Sequence, residues 1–155
     1  MAFDLGKFFE DVFNPAEDEV VTVLYDIPHD DIEDNEAWRQ RRQMAEEWRE
    51  KLAGMAQRWG ILVRPTVTYA ATGSNNAQLP PTCKMARQVT SLGKIIEGST
   101  ILIAMPQFSA TAPLFPYAKS SKRLRIGSMP GVAKFMEESG QDCMTRCEFH
   151  GWVAT

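Results

Sequence analysis

His29 is the side chain best suited to proton chemistry near neutral pH, and it lies among carboxylates: Asp26, Asp30 and Asp31 flank it. An imidazole in that company can ligate a metal ion or act as acid and base. The simpler reading is a solvated acidic loop whose charges favour a following helix N-terminus. A second group surrounds Gly73. Thr72, Ser74, Asn75 and Asn76 offer hydroxyls and amides that can cradle an anion. The loop has neither the Walker pattern with its Lys nor G-x-G-x-x-G, so an ordinary turn competes with that reading. Ser109 and Thr111 form a third polar group, and Ser128 a fourth. Ser128 is outside a G-x-S-x-G elbow, because Gly127 directly precedes it. Cys143, Cys147 and His150 share one face if helical, but three ligands and a wide Cys spacing fall short of a zinc site. Cys83 follows Pro80 and Pro81 with no His nearby in sequence, which argues against a nucleophile. These residues assign no catalytic group, metal ligand or cofactor to the chain.

The elements that would position these groups follow from hydrophobic spacing. Leu5, Phe8, Phe9 and Val12 recur at helical steps, and Asn14-Pro15 closes that helix. Residues 20–25 (VVTVLY) form a short β-branched run suited to a strand buried on both faces. From 36 to 59, Trp38, Ala45, Trp48, Leu52, Met55 and Trp59 make one apolar stripe on a long helix. Asp34 or Asn35 can cap it, Gly60 can end it, and Arg42–Glu46 and Glu47–Lys51 fall at pairing distance on its wet face. Residues 61–69 form a second strand, placed at an edge because of Pro65. A short helix over 90–97 follows, then a strand over 100–105. A helix over 113–119 is shortened by Pro116, then comes a strand over 124–128 and a helix over 131–139 closed by Gly140.

Strands alternating with helices imply an α/β fold: a mostly parallel four-stranded sheet with helices on both faces, in Rossmann-like or flavodoxin-like layers. The expected core joins Val21, Val23, Ile101, Ile103, Leu124 and Ile126 to Trp48 and Leu52. In such sheets ligands bind beyond the carboxyl ends of the strands. The loops holding His29, Thr72–Asn76, Ser109–Thr111 and Ser128 all fall there. One domain over 1–140 is expected, with 141–155 as an atypical tail.

Composition sets outer limits. The 155 residues are 44% apolar, enough for one real core. A net charge of −3 argues against a nucleic-acid partner, which would call for excess Lys and Arg. Three cysteines do not make a disulfide framework and fit reduced thiols in the cytoplasm. The N-terminus is not a signal peptide, and the aliphatic runs are too short to span a membrane.

The phrases FDLGKFFEDVFNP, VVTVLYDIPH, TYAATGSNNA, STILIAMPQFSATAPL and LRIGSMPGV, in that order, resemble the N-terminal region of metal-dependent leucyl aminopeptidases of the thermophilic aminopeptidase T type. The likeness spans about residues 2–140 and is strongest to a poorly characterised branch of that superfamily. It implies an α/β N-terminal domain that holds no metal ligand. It assigns the Glu, His, Tyr and Asp ligands of a two-metal, water-activating centre to a second domain, and this chain stops before that region. The divalent metal thus belongs only to a full-length family member. The implied partners are the missing C-terminal domain or a second subunit. Residues 141–155 do not resemble the family's continuation and read as a truncated or altered end.

Three functions compete on these grounds. The chain is the non-metal-binding portion of an aminopeptidase-type protein, inactive alone. It is instead a small-ligand or anion-binding module using the strand-end loops. Or it is an interaction domain docking through Phe8, Phe9 and Phe13.

Overall fold

A computed structural model describes residues 3–29 and 31–132. The chain order is α1 (Leu5–Phe13), β1 (Val20–Ile27), α2 (Glu36–Gly54), α3 (Ala56–Trp59), β2 (Leu62–Val63), β3 (Val67–Ala70), β4 (Thr82–Met85), β5 (Gln88–Ser91), α4 (Leu92–Glu97), β6 (Ile101–Ala104), α5 (Thr111–Ser120) and β7 (Arg125–Ser128). The fold is α/β. Among the described residues the sheet is mixed and has seven strands in the order β5-β4-β3-β1-β6-β7, with β2 also paired to β1. The pairs β3–β1, β1–β6 and β6–β7 are parallel, whereas β3–β4 and β4–β5 are antiparallel.

Two features correct the expected four strands. The first is the β4–β5 hairpin, whose two-residue loop is Ala86-Arg87. Both loop residues have positive φ, 51° and 67°, which a type I′ turn demands. Neither residue is the Gly or Asn that usually announces such a turn, so the stretch reads as a loop and part of β5 as helix. The second is Pro65. Val21 pairs with Val63 and Leu24 with Val67, so two residues of β1 face three of the other strand. That extra residue is a bulge, and it divides the expected second strand into β2 and β3. Only its first half, β2, has a free outer edge among the described residues; β3 lies between β1 and β4. At Pro65 itself no outer strand is paired, so the missing N–H costs no ladder bond.

Helices cover both faces, and side-chain alternation along the strands separates two cores. On one face Val21, Val23, Tyr25, Ile101 and Ile103 pack under α1 and α2 with Trp48 and Leu52. On the other, Leu24, Val67, Leu102, Leu124 and Ile126 pack under α4 and α5. All eight expected core residues are buried, but Leu124 and Ile126 belong to the opposite face from Trp48.

Phe8, Phe9 and Phe13 are interior. The Phe8 ring lies 5.8 Å from that of Trp48, and Phe9 lies 5.0 Å from Trp59. All three side chains are buried, so they do not form the docking face considered from sequence. Helix α5 begins at Thr111 and runs through Pro116, longer than expected. The carbonyl that Pro116 leaves without a donor is that of Ala112, and both residues are exposed, so water can serve it. Helix α1 ends at Asn14 in the left-handed region. The expected helix over 131–139, along with Cys143, Cys147 and His150, lies outside the described residues except for its first two positions. Among the described residues no helix is long and apolar enough to cross a membrane.

Candidate functional site

The carboxyl ends of β3, β1, β6 and β7 lie side by side, with β1 between β3 and β6, both of which follow it in the chain. The order reverses at β1, which makes the β1–β6 boundary a switch point. Asp26 stands there. It is completely buried, and its carboxylate accepts from Gln107 N (2.7 Å), Phe108 N (3.1 Å) and Trp38 Nε1 (3.1 Å). One side chain thus holds the loop after β6 against the start of α2. Burial pushes the Asp26 carboxyl above its ordinary value, and the Gln107 and Phe108 N–H groups oppose that rise. Arg41, one turn along α2 from Trp38, donates to the Val132 carbonyl (2.7 Å) and to Gln107 Oε1. Burial lowers its pKa, while the Asp26 charge acts the other way.

A second network joins three strand-end loops. Ser109 N donates to Asn75 Oδ1 (2.9 Å), and Asn76 N donates to the Ser109 carbonyl (2.7 Å). Ser109 Oγ lies 3.2 Å from both Asn76 Oδ1 and Thr111 Oγ1. Thr111 Oγ1 and Ser128 Oγ are 2.7 Å apart. The N-terminus of α5 is enclosed in this network: Thr111 N reaches Ser109 Oγ (3.4 Å) and Ala112 N donates to Asn76 Oδ1 (3.0 Å). The next residue, Pro113, has no N–H. Internal groups therefore already take the amides that a helix N-terminus would present to an anion.

Of the residues singled out from sequence, Asn75, Asn76, Ser109, Thr111 and Ser128 come together. Thr72 and Ser74 stay within their own turn, with Thr72 Oγ1 donating to the Ser74 carbonyl at 2.9 Å. His29 is exposed and lies apart from the network; its Nε2 is 2.9 Å from the Ala71 carbonyl at the end of β3. Asp30 is outside the described residues. Asn35 rather than Asp34 caps α2, through Trp38 N at 2.8 Å. Asp34 instead pairs with Arg42, which lowers its pKa to about 2, so Arg42 is not paired with Glu46 as its spacing suggested. Glu46 accepts from Tyr25 Oη and Thr66 Oγ1.

No family model matches this chain, and neither a curated protein nor a solved structure matches it.

Among the described residues, Ser109, Thr111 and Ser128 have hydroxyls, amides and backbone groups as partners. None is paired with a carboxylate or imidazole that would activate it as a nucleophile. The arrangement is suited to binding a polar group rather than to attacking one. Asp26 is committed to three donors, Asp34 to Arg42, and no group of three His, Cys, Asp or Glu among the described residues is placed to hold a metal ion.

Asp26, Trp38, Arg41 and Gln107 were not singled out as a unit from the sequence. A signal for Arg41 was present: positions 38, 41, 45, 48 and 52 form one helical stripe, and Arg41 is its charged member. Asp26 likewise continues the buried alternation Leu24, Asp26 at the end of β1.

Proposed function

We propose that this chain is an aminopeptidase-like α/β unit that walls one side of a substrate cleft and does not hydrolyse substrate by itself. The observation that supports it is the network of Asn75, Asn76, Ser109, Thr111 and Ser128. It fixes three loops from different strands into one polar surface at the carboxyl edge of the sheet, where α/β folds receive ligands. Hydroxyls and side-chain amides suit the peptide groups of a short aminoacyl substrate, which offer both donors and acceptors. The resemblance to the N-terminal region of thermophilic aminopeptidase T-type enzymes supplies the reaction class, and it assigns the metal ligands elsewhere. Divalent metal chemistry is accordingly attributed to a family member carrying those ligands and to no residue here. A cytoplasmic protein that completes its cleft with a second domain or a second copy fits this reading.

The reading as a small-ligand module draws on the same loops. The occupied N-terminus of α5 favours neutral ligands over anions within it.

The purified chain is expected to give no turnover of aminoacyl amides or short peptides with added zinc, cobalt or manganese. Metal-dependent hydrolysis that disappears in a His29→Ala, Asp31→Ala variant would contradict the proposal and make His29 a catalytic ligand.

A further inference from the structure

Helices α4 and α5 lie on the same face of the sheet and leave a cleft between them. Leu92 and Ile96 of α4 are four residues apart, as are Pro113 and Tyr117 of α5, so each pair lines the cleft from one face of its helix. Leu92 and Ile96 are buried and give it an apolar side. The third wall is the loop into β4, through Leu79, Pro80 and Pro81. The Pro81 carbonyl accepts from Leu92 N at 3.0 Å, which ties that loop to the start of α4. The Tyr117 hydroxyl reaches across to α4, where a Cβ on Gly93 would stand 3.2 Å from it. The cleft holds about 340 Å³, at the lower end of the range for small-molecule sites.

We propose that this cleft binds a small neutral aromatic molecule carrying one polar group that both donates and accepts, such as a carboxamide. Neutrality follows from the walls. None of the described residues that line the cleft is Asp, Glu, Lys, Arg or His, so an ion leaving water would find no countercharge there. The ring follows from Pro80, Pro81 and Pro113. Proline rings pack against aromatic rings, as when proline-rich segments dock in aromatic grooves. Here the prolines belong to the protein, so the aromatic ring is the ligand's. The polar group follows from Gln78 and Tyr117. The prolines bring no N–H, which leaves the Gln78 amide and the Tyr117 hydroxyl as the side-chain groups that can donate and accept. The proposal concerns the helices over one face of the sheet and does not rest on the aminopeptidase reading.

The test is titration of the ¹⁵N-labelled full chain with benzamide. Saturable amide shifts are expected at Gln78, Leu79, residues 92–96 and Tyr117. Benzoate, the charged counterpart of the same shape, is expected to give none. Cyclohexanecarboxamide keeps the amide but lacks the aromatic ring, and it should bind about two- to tenfold more weakly, the worth of one ring contact. Leu79→Trp, which fills the cleft from a half-buried loop position, should abolish the benzamide shifts. Gln78→Ala, at an exposed position, should weaken binding with the fold unchanged. The proposal would be overturned by no saturable shift with benzamide, or by shifts confined to other parts of the fold. Equal binding of benzoate or of cyclohexanecarboxamide would do the same, as would benzamide binding unchanged in both variants.

Discussion

Trp48→Ala is expected to lower stability by about 3–5 kcal/mol, the range for deleting a buried aromatic side chain. Trp48 is fully buried on α2, stacked on Phe3 at 5.6 Å and tilted against Phe8 at 5.8 Å, beneath the Val21, Val23, Ile101 and Ile103 side of the sheet. It is thus where α1, α2 and the two central strands meet. Its removal takes a large apolar surface from three elements at once, and the backbone of a five-turn helix cannot collapse to fill the space. Urea melts with an unchanged m-value would report the loss directly. A change below about 1 kcal/mol would show that the ring is not in the core, since surface substitutions stay within about ±0.5 kcal/mol.

Asp26→Ala is expected to cost about 3 kcal/mol or more. It strands Gln107 N and Phe108 N beside the lost carboxylate, each at a cost of about 1–3 kcal/mol, while Trp38 Nε1 keeps its second acceptor, the carbonyl of residue 26 at 3.1 Å. The variant should also loosen the loop after β6, so amide exchange at Gln107 and Phe108 should quicken more than exchange in β6 itself. Titration gives a separate check. Burial raises the Asp26 pKa above its ordinary 3.8, so the folded protein holds that proton more tightly than the unfolded chain does. The stability linked to this group is therefore complete below pH 3.8 and is lost as pH rises through the raised folded value. Relative to Asp26→Asn, which does not titrate, the wild type should have its greatest advantage in acid and a smaller one above that window. An advantage that grows with pH would mean that the three donors outweigh burial.

Much of the layer structure was legible because periodicity carries it. The stripe from Trp38 to Leu52 and the β-branched run of β1 announce a helix and a strand buried on both sides. The hairpin was not legible, because Ala86 and Arg87 adopt positive φ without the residue types that advertise it. Pro65 misled in a different way. Its missing N–H implies a free edge for the whole run, yet only β2 and the bulge have one, and β3 is covered by β4. The core was read as one because strand residues were grouped by hydrophobicity. Their alternation sends Ile101 and Leu102 to opposite faces. At the site, topology was enough to send the Asn76, Ser109 and Ser128 loops to one edge. It could not say which polar atoms would meet, since those contacts span 17 to 36 residues of sequence. The common role of Asp26 and Arg41 in holding the loop after β6 was not legible, because their partners lie 66 to 91 residues away.

The strand-end surface is the centre of the functional proposal, and binding there can be located residue by residue. Amide resonances of the ¹⁵N-labelled chain should be followed during titration with dialaninamide, a short neutral aminoacyl amide. Saturable shifts are expected at residues 72–76, 107–112 and 128–131, and they should be lost in Asn76→Ala, which removes the acceptor shared by Ser109 and Ala112. No saturable shift, or shifts confined to other parts of the fold, would contradict the assignment of this edge as the wall of a substrate cleft.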